Sequence, residues 1–472
     1  MKILLTGANG YIGKRLLPAL LLAGHEVVCC VRDIRRFHIE ANQNPRITVI
    51  EVDLLEEASL AAIPKDIDGA YYLVHSMASS DDYEDLEIRC AQNFRAALEQ
   101  TAVQHVIYLS GIVNETELSA HLASRKSVEL ELRKGSYAFT TLRAAIIIGS
   151  GSASFEIIRD LVEKLPIMIT PKWLLTKCQP IGIRDVIAFL SQTLFNEATY
   201  NQDFDIGGAD ILTYKQMLLE FAAARNLTRK IIIVPVMTPK LSSYWLYFVT
   251  STSYQLAVAL VHSMKIEVIC RNKKLQELLG IQPSGYREAL QLAFSRIESN
   301  TTPSSWKDSY SSSGMSSSIL DAINVPTHGC FLDKKQRSYS DRKVCINNIW
   351  RIGGTQGWYY ANWLWQLRGY IDKLFGGVGL RRGRTNNYNI SAGDALDFWR
   401  VLYANKEEGR LILFAEMKLP GEAWLEFQLK EGKLHQTATF RPKGVLGRLY
   451  WYSVYPFHGF IFNGMIDALV KK

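Results

Sequence analysis

The sequence predicts an α/β chain in which a doubly wound parallel sheet precedes a second, α+β domain with an antiparallel sheet and a C-terminal helix. Three observations predict this fold class. Short Val/Ile/Leu-rich segments alternate with helix-length segments from residue 1 to about 150, as in parallel sheets covered on both faces. A Ser-rich stretch at 299–318 has the composition of a linker. Beyond this stretch, alternating strand-like runs are typical of an antiparallel meander.

We predict six strands in the parallel sheet, each a short apolar segment. They are Ile3 to Leu5, Glu26 to Val31, Ile47 to Val52, Ala70 to Val74, His105 to Leu109 and Phe139 to Arg143. From about residue 150 the pattern is less regular, with a helix over 155–165, a strand and helix around 180–186 and a strand at 203–206. These later segments are expected to close a substrate cleft over the sheet. The first domain is therefore predicted to span 1–298.

A Gly-x-x-Gly-x-x-Gly turn lies directly after the first predicted strand and directly before a helical pattern. Gly7 lets the chain turn sharply, Gly10 removes a side chain where a phosphate approaches the backbone, and Gly13 lets the helix pack closely on the strand. The helix N-terminus offers unpaired amides and a partial positive charge to an anion. We therefore predict a dinucleotide site here, against the alternative of an ordinary tight turn. Its predicted contacts are Gly7, Asn9, Gly10, Tyr11, Ile12 and Gly13.

The residues after the second and third strands predict which dinucleotide binds. Arg32 stands where a carboxylate would accept hydrogen bonds from the ribose of NAD. A guanidinium there suits a 2′-phosphate, so the predicted cofactor is NADP; neighbouring Asp33 leaves NAD open, and a solvated surface arginine is the alternative. Asp53, followed by Leu54, is placed to accept from the adenine amino group or to cap the following helix.

Three further polar residues follow predicted strands on the same edge of the sheet. Ser110 ends the fifth strand and is the best-placed hydrogen-bonding residue, although serine is also a common helix cap. His75 and Ser76 follow the fourth strand, where they line the crevice or serve a local turn.

Composition excludes several classes of function. The net charge of +8 suits anionic cofactors or an anionic membrane surface, and the chain has no long basic run or nucleic-acid motif, so we expect no nucleic-acid role. The seven cysteines are scattered and never have metal-ligand spacing, which indicates reduced thiols and no metal site. Because the first strand begins near Lys2, no signal peptide is expected, and the predicted location is cytoplasmic.

Two apolar stretches could contact a membrane. Residues 241–264 contain no charged residue but many hydroxyls, which indicates a buried or groove-lining helix rather than a membrane span. Residues 449–462 concentrate aromatic side chains behind Arg441, Lys443 and Arg448. We expect this segment to pack in a core. The alternative is an interfacial anchor, which would make the protein peripheral on the inner face of the membrane.

The second domain is predicted to span 319–472. Strand-like runs over Leu411 to Met417, Ala423 to Leu429 and Leu434 to Phe440 are joined by hairpin turns at Pro420-Gly421 and Glu431-Gly432. A closing helix is predicted over 459–472. Strands wrapped about this helix would enclose a pocket lined with aromatic residues, or would build a solid sandwich.

The first half of the chain resembles the atypical short-chain dehydrogenase/reductase superfamily over roughly residues 1–290. This resemblance implies a Rossmann fold, NAD(P), and a Tyr-x-x-x-Lys pair that moves a proton during hydride transfer. The chain departs from that pattern, because the corresponding helix has His121 and Arg125 at these positions. Arg125 on the same helical face would keep His121 neutral and able to act as a base; a structural histidine is the alternative. The residues that carry the resemblance are Thr6 to Gly13, Val31 to Asp33, Val52 to Leu54 and Leu109 to Gly111.

A narrower resemblance is to the YbjT-like and NmrA-like groups of Rossmann proteins, through the stretch Ile147 to Glu156. In YbjT-like chains a second domain of unknown function follows. This chain is similar in Gly353 to Tyr359, Arg381 to Arg384 and Ala415 to Gly421. The two resemblances span nearly the whole chain and imply its architecture rather than its reaction. The tail is also similar to helix-grip lipid-binding or cyclase-like domains.

Guanidinium groups and aromatic rings concentrate in the second domain. In one interpretation, the guanidinium groups hold the carboxylate or phosphate head of a ligand while the rings enclose its apolar body. In the other, the arginines pair with Asp372, Asp394 and Asp397 as interdomain contacts. Glu416 and Glu426 lie on neighbouring predicted strands of open register, so no acid/base pair is assigned. The concentrated residues are Arg368, Arg381, Arg382, Arg384, Arg400, Trp358, Trp363 and Trp365.

These observations lead to three hypotheses of function. The first is an NADP-dependent oxidoreductase acting on a hydrophobic small molecule, with Ser110, His121 and Arg125 nearest the chemistry. The second is a non-catalytic NADP(H) sensor or scaffold whose C-terminal domain binds a lipid-like ligand or a partner, which the missing Tyr-x-x-x-Lys pair favours. The third is a peripheral membrane enzyme handling lipids or quinones.

Overall fold

The computed structural model describes residues 1–34, 37, 44–74, 83–112, 120–234, 264–298, 325–326, 330–354, 356–375, 377–379, 390, 392 and 394–471. The described residues form two compact units, one before and one after the Ser-rich stretch. The predicted linker at 299–318 and nearly all of the apolar segment 241–264 lie outside the described residues.

The first unit is built from short strands and helices that alternate along the chain. Its strands are β1 (Lys2–Thr6), β2 (Glu26–Val31), β3 (Ile47–Glu51), β4 (Gly69–Tyr72), β5 (His105–Gly111), β6 (Ala138–Ala144), β7 (Ile147–Ile148), β8 (Ile167–Pro171), β9 (Lys177–Cys178), β10 (Ile181–Gly182), β11 (Asp203–Ile206), β12 (Leu212–Thr213) and β13 (Lys230–Val234). Its α-helices are α1 (Gly13–Leu22), α2 (Tyr83–Leu98), α3 (Ala120–Leu132), α4 (Ala153–Lys164), α5 (Ile183–Thr193), α6 (Tyr214–Ala224), α7 (Lys274–Leu279) and α8 (Tyr286–Glu298).

Seven of these strands form one parallel sheet in the order β11-β6-β5-β4-β1-β2-β3. The order reverses between β1 and β4, which creates a crevice at the carboxyl ends of the strands. The doubly wound parallel fold predicted from the sequence is confirmed, as are its first six strands.

The prediction of six strands was one strand short. Residues 203–206 were expected to belong to the cleft-closing segments, but Asp203–Ile206 pairs in parallel with Thr141–Ala144 and forms the edge of the central sheet. A four-residue strand carries little periodicity, and its pairing with β6 comes from a distant part of the chain.

Apolar residues cover both faces of this sheet. Alternate residues of one strand point to opposite faces, so Leu5 packs with α1 and α5, whereas Leu4 packs in a second cluster with α2 and α3. A third cluster joins α4, α6 and α8, as expected of segments that form a subdomain beyond residue 150.

The second unit is an antiparallel sheet with helices. Its strands are β14 (Phe331–Ser338), β15 (Ala395–Leu396), β16 (Trp399–Asn405), β17 (Arg410–Ala415), β18 (Gly421–Lys430) and β19 (Lys433–Pro442). They form one sheet in the order β14-β19-β18-β17-β16-β15. Its helices are α9 (Arg342–Ile349), α10 (Asn362–Leu374) and α11 (Gly444–Val470).

The predicted meander is confirmed, with β17, β18 and β19 paired antiparallel in sequence order. Glu431 and Gly432 form a two-residue hairpin loop with φ of 52° and 72°, as a type I′ turn requires. Leu413 and Phe427, on one face of the sheet, pack with Met465 of α11 in an apolar cluster.

The predicted start of the closing helix was wrong. The helix begins at Gly444 rather than Gly459 and contains the entire aromatic segment 449–462. Aromatic residues favour strands and Pro456 normally interrupts a helix, yet burial of Trp451 and Phe462 on one side of α11 stabilises the continuous helix. Pro456 lies on the exposed side.

Candidate functional site

The glycine turn connects β1 to α1 in a conformation that only glycine adopts without strain at its first position. Gly7 has a φ of 64°, and a Cβ there would lie 3.0 Å from the carbonyl oxygen of Leu73. The Gly10 amide donates a hydrogen bond of 2.8 Å to the Gly7 carbonyl. The chain therefore reverses tightly against the end of β4.

Gly13 is the first residue of α1 and touches the turn. A Cβ at this position would overlap the Gly7 carbonyl oxygen and stand 2.8 Å from the Cα of Ala8. The helix has Ile12 at its N-cap, and no side chain caps its first amides by a hydrogen bond. The amides of Lys14 and Arg15 already donate to the carbonyls of Gly10 and Ile12, at 3.1 and 2.9 Å. The glycine turn and the positive end of the helix dipole still form an anion site, so these residues fit a dinucleotide diphosphate.

Tyr11 and Arg15 link the turn to the loop before α4. The Arg15 guanidinium carbon lies 3.9 Å from the centroid of the Tyr11 ring. Arg15 donates hydrogen bonds to the carbonyls of Tyr11 and Ser150, at 2.8 and 2.9 Å. Asn9 is half-buried in the turn and Ile12 packs against the α1-side core. Tyr11 therefore has a structural role in addition to its predicted cofactor contact.

Arg32 and Asp53 come together at the carboxyl ends of β2 and β3. Both charges act on the thiol of Cys90 in α2. The pKa of this thiol is raised to about 12, mainly by burial, with Asp53 adding to the rise and Arg32 opposing it. Arg32 is exposed, whereas the adjacent Asp33 is buried with 8 % of its surface accessible. The exposed guanidinium at this edge is therefore accessible to a 2′-phosphate.

Asp53 also serves the local chain. Its Oδ1 accepts a hydrogen bond of 3.0 Å from the Leu55 amide, and its own amide donates to the Ser59 hydroxyl at 3.0 Å. Asp53 therefore stabilises a local turn rather than capping the following helix, which was the alternative predicted from the sequence, because that 3₁₀ helix has Glu56 at its N-cap. The Leu54 side chain is buried in the core below α2, and its carbonyl accepts from the Asn93 amide group at 2.9 Å. Cofactor contacts of Asp53 and Leu54 stay predictions.

Ser110 lies at the carboxyl end of β5, on the same edge as the glycine turn. It is 2 % exposed, and its Oγ makes no hydrogen bond of good geometry within the described part of the chain, although a weak interaction with the Tyr108 hydroxyl lowers the pKa of that phenol. A buried hydroxyl without a partner costs free energy. Ser110 is thus a described polar residue at this edge whose hydroxyl can still donate a full hydrogen bond.

The predicted proton-transfer pair lies at the start of α3. His121 is in this helix, but its side chain lies outside the described residues, as do His75 and Ser76 entirely. The Arg125 carbonyl accepts a hydrogen bond of 3.4 Å from the Tyr108 hydroxyl. Burial raises the pKa of Tyr108 to about 12, and the Arg125 cation lowers it in part. Arg125 therefore faces Tyr108, a contact that sequence reasoning missed.

Sequence reasoning also missed a buried carboxylate beneath this edge. Glu87 in α2 accepts a hydrogen bond of 2.5 Å from the Ser124 hydroxyl in α3, and both side chains are buried. The signal was present, because Glu87 continues the apolar helical stripe of Ala91, Phe94 and Leu98. A lone carboxylate in such a stripe indicates a buried hydrogen bond between helices.

In the second unit, the tryptophans form a stacked cluster rather than the wall of an open pocket. Trp358 stacks on Trp365 with centroids 4.8 Å apart and on Phe398 at 6.5 Å. The Trp358 indole donates to the Asp397 carboxylate at 2.6 Å. Trp363 instead points outward and is largely exposed. Arg381, Arg382 and Arg384 lie outside the described residues.

The acidic residues near this cluster bind backbone amides and one arginine. Asp372 accepts hydrogen bonds from the amides of Gly379 and Lys418, at 2.8 and 2.7 Å. Burial raises the pKa of Asp372, and these bonds lower it in part. Arg400 pairs with Glu416 at 2.7 Å, and both side chains are completely buried. The sequence did not predict this ion pair, since the arginine and the glutamate lie on neighbouring strands.

Glu426 lies in a different environment from Glu416. It pairs with Arg410 at 2.8 Å and lines an open cleft of about 510 Å³ on the sheet face opposite to α11. Lys334, Thr437 and Tyr403 also line this cleft. The two glutamates therefore have separate arginine partners.

Two further features of the described residues concern metal binding and membrane crossing. In that part of the chain, no group of three or more His, Cys, Asp or Glu side chains could hold a metal ion. None of its helices combines the length and apolarity needed to cross a bilayer.

Comparison with known proteins agrees with this geometry. Residues 7–154 match an NAD(P)H-binding family, and residues 330–465 match a protein family of unknown function. The chain is 22 % identical over 225 residues to the chloroplastic divinyl chlorophyllide a 8-vinyl-reductase of Arabidopsis thaliana, covering 44 % of this chain and 53 % of that protein. The maize enzyme of the same name is 24 % identical over 223 residues. The chain spans about half the length of these curated relatives.

Solved structures share the fold of the first unit. A nucleoside-diphosphate-sugar epimerase from Staphylococcus aureus has a TM-score of 0.51 and 15 % identity, and the match covers 62 % of this chain and 100 % of that chain. The NADPH-dependent quinone oxidoreductase of Escherichia coli, complexed with NADPH, has a TM-score of 0.51, 16 % identity and coverages of 62 % and 99 %. The first unit therefore shares the fold of these solved structures, its residues 7–154 match an NAD(P)H-binding family, and the second unit matches a family of unknown function.

Proposed function

We propose that this chain is an NADPH-dependent reductase of a hydrophobic, conjugated small molecule. The observation that carries the proposal is the exposed Arg32 guanidinium at the carboxyl end of β2, beside a glycine turn with uncapped helical amides. The amides bind the diphosphate and Arg32 binds the 2′-phosphate. NADPH, rather than NADH, is therefore the cofactor that these residues favour.

The substrate class is inferred from the curated relatives. Their name describes reduction of the 8-vinyl group, a carbon–carbon double bond, of a divinyl chlorophyllide. The match to them covers 44 % of this chain. We infer the same broad chemistry, addition of hydrogen across a conjugated double bond or carbonyl, without inferring the same substrate.

This chain's own residues then orient the reactants and supply a proton. The nicotinamide cofactor supplies a hydride when it is bound. Ser110 donates a hydrogen bond from the cofactor edge, which satisfies its buried hydroxyl. His121, one turn before Arg125 on α3, is the proposed proton carrier in place of tyrosine.

Cofactor selection is tested by calorimetry on the full chain. We expect Arg32→Ala to weaken NADPH binding at least tenfold and to change NADH binding less than twofold, because only NADPH carries the 2′-phosphate. Arg46→Ala is the matched control: this exposed arginine precedes β3 at the opposite end of the sheet and donates to the Leu21 carbonyl. Binding of neither coenzyme to the folded wild type would refute the proposal.

Turnover is tested separately, by NADPH oxidation in the presence of quinones, conjugated enones and vinyl porphyrins. We expect a substrate in this panel, and a loss of at least tenfold in kcat for His121→Gln with NADPH affinity retained. If NADPH binds but no acceptor is reduced, the reductase proposal fails.

The second candidate function, an NADP(H) sensor, is favoured by one specific observation. The chain has His121 and Arg125 where a reductase of this fold has tyrosine and lysine. A sensor predicts that NADPH changes the small-angle scattering profile of the full chain without any turnover. Identical profiles with and without NADPH would reject the sensor.

A further inference from the structure

Helix α11 has one buried side and one exposed side, although both are apolar. On the buried side, Trp451 stacks between Phe331 and Phe440 with centroid distances of 5.3 and 5.8 Å. Further along the same side, Phe462 packs in the core of the unit. A helix of globular proteins normally turns a polar face to water, so the composition of the opposite side requires an explanation.

The exposed side of α11 carries a continuous row of large apolar residues. Each of them is exposed over more than half of its surface, and their spacing of three or four residues places most of them on one helical face. Clustered exposure of this kind marks an interaction surface. We call these residues the α11 surface: Val445, Leu446, Leu449, Tyr452, Tyr455, Phe457 and Phe460.

The charges along this surface have one sign. Lys443 and Arg448 are exposed at its beginning, whereas no Asp or Glu occurs between Gly444 and Asn463. Exposed tyrosines combined with cations and no carboxylates complement the headgroup region of an anionic bilayer. A carboxylate-free cationic surface fits anionic lipid better than a second copy of itself, since a second copy offers these cations no carboxylate partner.

Helix α10 adds a second surface of the same kind. Trp363, Tyr370, Leu374 and Phe375 are each more than half exposed. The ring of Tyr360, just before α10, contacts Phe460 of the α11 surface with centroids 5.1 Å apart. The two apolar rows therefore lie near one another on the helical side of this unit.

We propose that the α11 surface docks in the plane of an anionic lipid membrane, as an interfacial helix. The two sequence-based interpretations of residues 449–462 then apply to opposite sides of one helix: Trp451 and Phe462 pack in the core, and Leu449 and Tyr452 enter the lipid interface. This docking is independent of cofactor binding and of reductase activity.

Vesicle flotation of the full-length protein tests the docking. We expect co-flotation with vesicles of phosphatidylcholine and phosphatidylglycerol, about tenfold weaker binding to phosphatidylcholine alone, and weaker binding in high salt. The double variant Leu449→Ser/Tyr452→Ser is expected to lower binding at least tenfold. Both side chains are exposed, and the loss of the edge-on contact of Tyr452 with Phe331, whose ring centroids lie 5.7 Å apart, is expected to lower the melting temperature only slightly.

Matched control variants lie on the other face of the same sheet. Leu332→Ser removes an exposed leucine there, and Lys334→Glu reverses an exposed cation. Neither control is expected to change binding by more than twofold, whereas Arg448→Glu is expected to weaken it about tenfold.

Three results would overturn the proposal. The first is failure of the folded wild type to float with either vesicle. The second is a concentration-dependent dimer, seen by sedimentation, that Leu449→Ser/Tyr452→Ser abolishes, because the surface would then join two copies. The third is a markedly lower melting temperature of that variant without a change in flotation, which would mean that another part of the chain covers the surface.

Discussion

The guanidinium of Arg15 lies 3.9 Å from the ring centroid of Tyr11, and it also donates to the carbonyl of Ser150, 135 residues away in the chain. The same tyrosine approaches Gly149, where a Cβ would stand 2.5 Å from its hydroxyl oxygen. The glycine turn is thus held by residues of the Ile147 to Glu156 stretch, which the sequence singled out only by resemblance. A physical role for that stretch is to fix the position of the turn.

Replacing Arg15 tests this role. Arg15→Met removes two hydrogen bonds from a charged donor and a cation–π contact, and we expect the free energy of unfolding to fall by about 2 kcal/mol. NADPH affinity should fall three- to tenfold because the turn is less fixed. Urea denaturation and calorimetry measure the two effects. Arg184→Met, on the exposed side of α5, is the control and should change neither quantity; an equal effect of both substitutions would contradict the role of Arg15.

Gly13 tests the contact between the turn and α1. Gly13→Ala places a methyl group on the backbone of Gly7 and Ala8, which cannot move aside as a flexible side chain would. We expect NADPH affinity, measured by calorimetry, to fall at least tenfold. The free energy of unfolding should also fall by about 2 kcal/mol, as is typical of an overpacked position. Gly459→Ala is the control, because no atom lies within 4 Å of its Cβ position. Unchanged NADPH binding in Gly13→Ala would contradict this account of the turn.

The sequence predicted those parts of the fold that depend on local pattern. The strand–turn–helix around Gly10 has its glycines at fixed spacing, and the Glu431-Gly432 hairpin has a residue pair suited to its turn. The edge strand Asp203–Ile206 could not be assigned to the sheet, because its pairing with β6 depends on tertiary contact. The start of α11 was missed for the same reason, since contacts of Trp451 outweigh local preference.

Within the site, backbone-defined features were predictable and side-chain pairs were not. The glycines and the place of Arg32 follow from the strand order. The contact of Tyr108 with Arg125 and that of Glu87 with Ser124 depend on which faces of α2 and α3 meet. The spacing of residues in a single sequence does not specify which faces of two helices pack together.

His105 at the start of β5 predicts a pH dependence of stability. It is fully buried; its Nδ1 accepts from the Phe195 amide at 3.0 Å, and its Nε2 lies 2.9 Å from the Thr140 hydroxyl. Burial lowers its pKa from 6.5 to about 4. Between these values the unfolded chain binds the proton and the folded chain does not, so stability is complete above pH 6.5 and is lost as the pH falls towards 4.

The loss in the free energy of unfolding reaches about 3 kcal/mol once the pH is below the folded-state pKa of His105. Urea denaturation of the first unit from neutral pH to pH 4 measures it. His105→Gln keeps an acceptor and a donor without titrating, so we expect the difference in stability between wild type and variant to change across this range. A pH-independent difference would show that His105 does not titrate as inferred.

The buried pair of Arg400 and Glu416 predicts strong coupling in the second unit. Arg400→Met or Glu416→Leu alone leaves one buried charge without its ion-pair partner, and each should cost about 3 kcal/mol. The double variant should recover most of this loss. The half-buried pair of Arg410 and Glu426 is the control, and its cycle should give a coupling of about 1 kcal/mol or less. Equal coupling energies in the two cycles would contradict the dependence on burial.

Ser110 separates a structural role from a functional one. If its hydroxyl serves only the fold, Ser110→Ala should be close to neutral in stability, because the buried hydroxyl has only a weak interaction with Tyr108 among the described residues. A role at the cofactor edge predicts the same stability together with a loss of about tenfold in kcat/KM, since one hydrogen bond to a reactant contributes about 1.4 kcal/mol.

Thr141→Val is the control: its hydroxyl is likewise buried without a described partner, but it lies in the middle of β6 rather than at the strand ends. Thermal denaturation and NADPH oxidation are measured on both variants. Full activity in Ser110→Ala would exclude Ser110 from the reaction, and equal losses in both variants would mean that repacking of the sheet, rather than a lost contact with the reactants, slows the enzyme.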